Sequence, residues 1–227
     1  SCCAVADGAL SGTGPVDVES FPEAGLRVGV LGGNVMAAVD ESVGQAYEQA
    51  LIRLSRRGVR LAPVEMPELD ELTELHQRGT IAGAEGFSWH EPLIATRGDR
   101  YQPWIRSHIV DGGRMSAAAY LQLLAAREGF IERFRARTIT FDCLILPTVQ
   151  IAPPRFSDLN DDAAASRIDS LCLWNTTLAN FLDWPAISLP CHSPGQPPAG
   201  AMLMSRRGED RRLLSIARGV EYTVKGD

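Results

Sequence analysis

Four consecutive apolar residues, Cys143, Leu144, Ile145 and Leu146, are closed by Pro147. Strand side chains alternate between two faces, so an unbroken apolar run fits a strand that is covered on both. The segment predicts a central strand with a layer on each side. The surrounding pattern agrees. Residues 27–31 (Arg-Val-Gly-Val-Leu) read as a buried strand ended by the tight turn Gly32-Gly33. Asp40 stands where it can cap a helix. Val43, Ala46, Tyr47, Ala50, Leu51 and Leu54 then recur at helical spacing until Gly58 stops them. Residues 59–64 read as a second strand. Strand, helix, strand in this order implies a right-handed crossover in a parallel arrangement.

The rest of the chain continues the alternation. Residues 69–90 read as one long helical region that Pro92 and Gly98 interrupt, followed by a short helix over 104–110. Ser116 caps a helix to about residue 137, with Tyr120, Leu123, Leu124, Phe130 and Phe134 on its apolar side. A Pro- and Asp-rich loop occupies 149–162, and a helix is predicted over 163–177. Residues 186–189 and 201–204 read as strands joined by a Pro/Gly turn, which suits a hairpin. Asp210 opens a last helix. The expected fold is α/β: a mixed, largely parallel central sheet flanked by helices, with residues 1–227 forming a single domain.

Charge and motif content narrow the function. The formal net charge is -6, which disfavours direct nucleic-acid binding. No apolar run is long enough for a membrane span, and residues 1–5 have no basic stretch, so no signal peptide is expected. The cysteine count, five, is odd and no C-x-x-C occurs; the four histidines show no H-x-x-x-H. Neither a disulfide framework nor a metal site is expected, and a cytoplasmic location fits. Gly32-Gly33 carries neither a P-loop nor a G-x-G-x-x-G, so no cofactor is expected. His90, at a helix end, and His192, after a strand, are expected to make ordinary hydrogen bonds. Asp161-Asp162 reads as a solvated turn.

Five segments in order resemble the C-terminal half of the amidase-signature family. Residues 2–12 are similar to its "D-C-A-x-x-D-x-x-L-x-G" helix, and residues 25–31 to its "G-L-R-I-G-V" strand. Phe141-Asp142-Cys143-Leu144-Ile145-Leu146-Pro147-Thr148 resembles "F-D-x-L-L-x-P-T". Asn180-Phe181-Leu182-Asp183-Trp184-Pro185-Ala186-Ile187-Ser188-Leu189-Pro190 resembles "N-x-x-G-x-P-A-I-S-x-P" and is the sharpest match. Residues 208–214 resemble the "G-x-D-x-x-L-L" opening of its final helix. One departure stands out: Asp183-Trp184 replaces a glycine and a small apolar residue, so it either narrows the cleft or marks a turn that tolerates side chains.

The resemblance implies a serine hydrolase acting on the C–N bond of a carboxylic amide through a Ser–cis-Ser–Lys triad, with oxyanion stabilisation by backbone N–H groups. In the family those residues precede the segment matching Ser1. Here the only lysine is Lys225, beyond the last helix, and the Gly/Ser-rich signature is absent. The chain also has no G-x-S-x-G and no S-x-x-K. No catalytic residue is therefore assigned within these residues. The expected partners are a small-molecule amide and the N-terminal half of the same enzyme; a homodimer is left open. The resemblance further implies that this half completes the sheet and walls the substrate cleft. Arg78, Ile81 and Glu85, at helical spacings of three and four, and Asn175 and Thr176 are the candidate substrate-binding residues. The plainer alternatives are an arginine ion pair for Glu85 and helix-end capping for Asn175 and Thr176. A non-catalytic scaffold and a subunit of an aminoacyl-tRNA amidotransferase are the competing functions.

Overall fold

The computed structural model describes residues 18–77 and 79–226, together with Gly8 and Gly12. The segment resembling the family's first helix lies outside the described residues, as does Arg78. Contacts group the chain into two compact units, one of residues 1–66 with 135–227 and one of residues 67–134.

The larger unit is built on a five-stranded sheet ordered β2-β1-β3-β5-β4. Its strands are β1 (Arg27–Leu31), β2 (Arg60–Val64), β3 (Cys143–Pro147), β4 (Ala186–Pro190) and β5 (Gly200–Met204). β1 pairs in parallel with both β2 and β3, while β5 runs antiparallel to β3 and β4. β4 therefore points the same way as β3, with β5 the reversed strand between them. Every residue of β3 is buried, as its apolar run requires.

One face of the sheet is covered by α1 (Glu41–Arg56) and α7 (Asp210–Lys225), so the last helix runs far enough to include Lys225, which was expected beyond it. Val28, Cys143, Ile145 and Leu203 from the strands meet Tyr47, Ala50 and Leu54 of α1 and Ile216 and Val220 of α7 in one cluster. The Tyr47 hydroxyl donates to the Ile145 carbonyl at 3.1 Å, so this buried phenol is satisfied. The alternate strand residues Leu144, Leu146, Met202 and Met204 turn to the other face and are equally buried. Gly29 belongs to that face: a Cβ there would sit 2.7 Å from Leu144 and 2.8 Å from Val64. α6 (Asp162–Leu182) buries Asn175, Leu178, Phe181 and Leu182.

A strap at residues 18–23 lies along α7. Phe21 N–H donates to the Ser215 carbonyl at 3.0 Å, and Ser215 Oγ donates to the Glu19 carbonyl at 2.6 Å. Arg218 reaches the Val18 carbonyl and Thr223 reaches Glu23. Gly219 permits the approach, since a Cβ would lie 2.1 Å from the Phe21 carbonyl oxygen.

The smaller unit is helical: α2 (Glu68–Gln77), α3 (Ile81–Arg97), α4 (Pro103–Gly112) and most of α5 (Ala117–Thr138). The region expected as one helix over 69–90 is two. Gly79 takes a φ of +114°, and Thr80 caps the second helix by accepting from Gly83 N–H at 2.9 Å. Pro92 does not interrupt α3 but lies inside it. The packed α3–α4 pair reaches past Pro92, and tertiary contact offsets the lost hydrogen bond. The pair crosses closely because Gly112 faces Gly83, where a Cβ would come within 2.0 Å of the Gly83 carbonyl oxygen. α5 starts as expected, with Ser116 Oγ accepting from Ala119 N–H at 3.1 Å, and it buries Leu123, Phe130 and Phe134.

Candidate functional site

The carboxyl ends of β3 and β4 face the same way, and the amino end of β5 lies between them. A cavity of about 430 Å³ opens there, lined by Thr148, Ser188, His192 and Cys172 with an apolar wall that includes Val149 and Ile151. Its floor is a hydroxyl pair, Thr148 Oγ1 and Ser188 Oγ, 2.6 Å apart. Gly200 lies beneath; a Cβ would stand 2.5 Å from Ser188 Oγ and 2.8 Å from Thr148 Oγ1. Glycine is what lets the two hydroxyls meet. One of their two protons is spent in the mutual bond, and the other stays available to donate, as do lone pairs to accept. Among the described residues, no Asp, Glu, Lys or Arg lines the cavity. An apolar cavity with a neutral donor–acceptor pair suits a small uncharged polar molecule, because an ion there would lose hydration without a counter-charge.

His192 is turned to its own loop. Its Nδ1 lies 3.2 Å from both the N–H and the carbonyl of Ala199. Cys172 is no activated nucleophile: burial, then the nearby Asp169, raises its thiol pKa. Burial pushes Cys143 up to about 12 and Cys191 up to about 11, so both stay protonated at neutral pH. Among the described residues no group of three or more His, Cys, Asp or Glu is placed to hold a metal ion.

The crevice beside this cavity, where the loops after β1 and β3 diverge, is a common ligand position in parallel sheets. Here it is filled by a buried polar network. Asn175, fully buried on α6, donates through Nδ2 to the carbonyls of Pro147 at 2.7 Å and Val35 at 3.1 Å. Gln150 Nε2 donates to the Asn34 carbonyl at 2.9 Å and reaches Asn175 Oδ1 at 3.4 Å. Asp40 closes the side, accepting from Ala152 N–H at 2.8 Å and donating its own N–H to the Gln150 carbonyl at 2.8 Å. Its carboxylate ties two loops together and makes no cap bond to α1.

The candidate residues fall in both units. Ile81 opens α3 and is half-buried. Glu85, one turn on and exposed, accepts from the Tyr120 hydroxyl at 2.7 Å, so it is held by a phenol where an arginine was the plainer expectation. α6 runs on to Leu182, which puts Asn175 and Thr176 inside the helix where they cap no end. Thr176 Oγ1 donates back to the Leu173 carbonyl at 3.0 Å. His90 Nδ1 meets the Tyr101 hydroxyl at 2.8 Å, and Asp161 caps α6 by accepting from Ala164 N–H at 2.8 Å. Asp183 adopts the left-handed conformation, φ 56° and ψ 40°, at the end of α6, which is the geometry a glycine suits best. Trp184 is buried and does not line this cavity. Sequence reasoning missed the Thr148–Ser188 pair as a site. Its signal lay in the two strand motifs, each of which ends on or beside one of these hydroxyls.

Known structures share this architecture. The fold superposes on Kluyveromyces lactis allophanate hydrolase with a TM-score of 0.78 at 18% identity, over 91% of this chain and 33% of that one. A bacterial aryl acylamidase gives 0.71 at 16% identity, over 91% and 45%. The class is therefore that of the amidase-signature fold. In sequence, the Amidase family model matches residues 16–214, and the chain belongs to that family. It is 27% identical to a 2-amino-5-chloromuconic acid deaminase of Comamonas testosteroni, over 88% of this chain and 44% of the relative. It is 25% identical to a glutamyl-tRNA(Gln) amidotransferase subunit of Halobacterium salinarum, over 95% and 54%. The chain spans about half the length of these curated relatives. No helix among the described residues is long and apolar enough to cross a membrane.

Proposed function

We propose that this chain supplies the sheet-completing, cleft-forming half of a cytoplasmic serine amidase that hydrolyses the C–N bond of a small neutral carboxylic amide. The supporting observation is the family match over residues 16–214 in a chain whose strand ends hold an uncharged, hydroxyl-floored cavity. In this reading residues 1–227 are the C-terminal part of one amidase-signature domain. The Ser–cis-Ser–Lys triad comes from the other half: the lysine takes a proton through the bridging serine, and the second serine attacks the carbonyl. This chain's share is binding and orientation. The Thr148–Ser188 pair offers a donor and an acceptor to a carboxamide, and the apolar wall takes the remainder. Arg78, Ile81, Glu85 and Thr176 remain candidates for the substrate side. Asn175 acts by fixing the β3 loop, since its amide is committed to carbonyl groups.

The test is ammonia or amine release from a panel of aryl, short aliphatic and urea-like amides. The complete gene product is expected to turn over at least one of them, and residues 1–227 alone none. A complete product inactive on the whole panel supports the scaffold reading instead. The amidotransferase reading is favoured by the match to the Halobacterium salinarum protein over 95% of this chain. It predicts hydrolysis of glutamine that depends on co-purified subunits.

A further inference from the structure

We propose that His192 is a substrate-binding residue whose Nε2–H reads a second, uncharged acceptor oxygen on the substrate, apart from the carboxamide held by the Thr148–Ser188 pair. The inference rests on the reading of this cavity as an amide site. It deepens that reading from any small neutral amide to one that carries a further carbonyl or ether oxygen.

Ala199 decides which nitrogen of the ring carries the proton. Its carbonyl already accepts from Cys191 N–H at 3.0 Å. Its own N–H points to His192 Nδ1 at 3.2 Å and has no other acceptor among the described residues. A neutral imidazole has one donor and one acceptor nitrogen. A proton on Nδ1 would add a second donor to a carbonyl that has one, and would leave Ala199 N–H without a partner. An unpaired backbone N–H is the costlier arrangement. The proton therefore sits on Nε2. That nitrogen makes no hydrogen bond to a described residue, and His192 lines the cavity, so Nε2–H is the ring donor left for an occupant.

The neck of the β4–β5 hairpin holds the ring in place. Cys191 N–H bonds the Ala199 carbonyl, and Thr148 N–H bonds the Gly200 carbonyl at 2.8 Å. A donor fixed in advance loses little freedom when a ligand arrives. A carboxamide uses the donor and the acceptor of the Thr148–Ser188 pair, and Nε2–H is then left over beside the apolar wall of Val149 and Ile151. An alkyl substituent would bury that N–H unpaired, whereas a ketone or ether oxygen would satisfy it. No Lys or Arg among the described residues lines the cavity to balance a carboxylate there, so the oxygen is an uncharged one.

Substitution separates the two jobs of the ring. His192→Asn keeps an acceptor near the place of Nδ1 and removes the Nε2 donor. His192→Gln carries an N–H to the place of Nε2 and gives up the Nδ1 acceptor. The test uses the complete gene product and two matched pairs of probes: acetoacetamide against butanamide, and para-acetylbenzamide against para-ethylbenzamide. Each pair differs at one ketone oxygen. Nitrogen NMR of isotopically labelled histidine reads both the tautomer and the binding, with the His192 signals assigned by their loss in His192→Asn. The expected result is a bare Nδ1 and a protonated Nε2 in the free protein. In at least one pair the keto probe binds about five- to tenfold more tightly than its partner and shifts the Nε2 signal. His192→Asn brings the two probes to equal affinity with the melting temperature unchanged, and His192→Gln keeps the preference but melts lower. A protonated Nδ1 overturns the proposal, as does the lack of a keto preference in both pairs, or a preference that survives in His192→Asn. The wild-type tautomer and pair comparison decide even if neither variant folds. Binding is read without turnover: a product inactive on the whole amide panel that still prefers the keto probe rejects only the amidase reading, and hydrolysis without the preference rejects only this one.

Discussion

Asp142 fastens the sheet to its last helix. It accepts from Arg27 N–H at 2.9 Å and from Arg212 at 2.6 Å, with Arg27 Nε at 3.4 Å. Burial raises its pKa, but the Arg27 hydrogen bonds and the charges of Arg27 and Arg212 outweigh that and hold it below the ordinary carboxylate value. A depressed folded pKa stabilises the fold above the unfolded value, and the gain is lost as pH falls through the folded one. Asp142→Ala should therefore cost about 2 kcal/mol at pH 7, a gap that chemical denaturation finds shrinking below pH ~4. Asp183 gives the opposite sign. Its left-handed backbone is strained for a residue with a Cβ, and its Arg207 pair at 3.1 Å is exposed. Asp183→Gly is expected to leave the melting temperature equal or higher, and Asp183→Val to lower it by several degrees. The glycine in the family motif had already marked that turn.

At the scale of elements, the Gly83–Gly112 crossing sets how near α3 and α4 lie. Gly112→Ala forces them apart, at a cost of about 1–3 kcal/mol typical of overpacking. Faster amide exchange over residues 81–112, with β1 and β3 unchanged, would report it. These helices also show where the sequence was hard to read. Strands β1 and β3 were legible because their patterns are local: an apolar run with a Gly or Pro stop. The break at Gly79-Thr80 was not. Apolar residues continue on both sides of it, and the two features that mark it, a positive φ and a cap, are single residues. α6 ran beyond its expected end because Leu178, Phe181 and Leu182 are apolar enough for a helix or a loop, and burial decides between them. The buried Asn175 was picked out by its place in the stretch before the Asn180 motif, yet its partners on Val35 and Pro147 lie 140 and 28 residues away. No local pattern carries that information.

For the molecule as a whole, β4 is an edge strand of the described sheet with Ala186, Ser188 and Pro190 exposed, which predicts that residues 1–227 alone self-associate as concentration rises. Ala186→Lys, a charge on the exposed edge, should reduce that association in light scattering without moving the melting transition. The fold class was legible at this scale because predicted strands and helices alternate along the chain. The cavity was not, since its walls come from three strand ends that only the sheet order brings together. The strap on α7 has a temporal meaning. Its contacts with Ser215, Arg218 and Thr223 join residues 196 to 200 positions apart. Loop closure across such a separation comes late, and a nascent chain reaches α7 after all five strands. Until then the face of β4 and β5 that α7 covers stands open to water. Synthesis of this chain therefore passes through a half-clad sheet, whose lifetime is the interval most exposed to misassociation and the natural point for a chaperone to act.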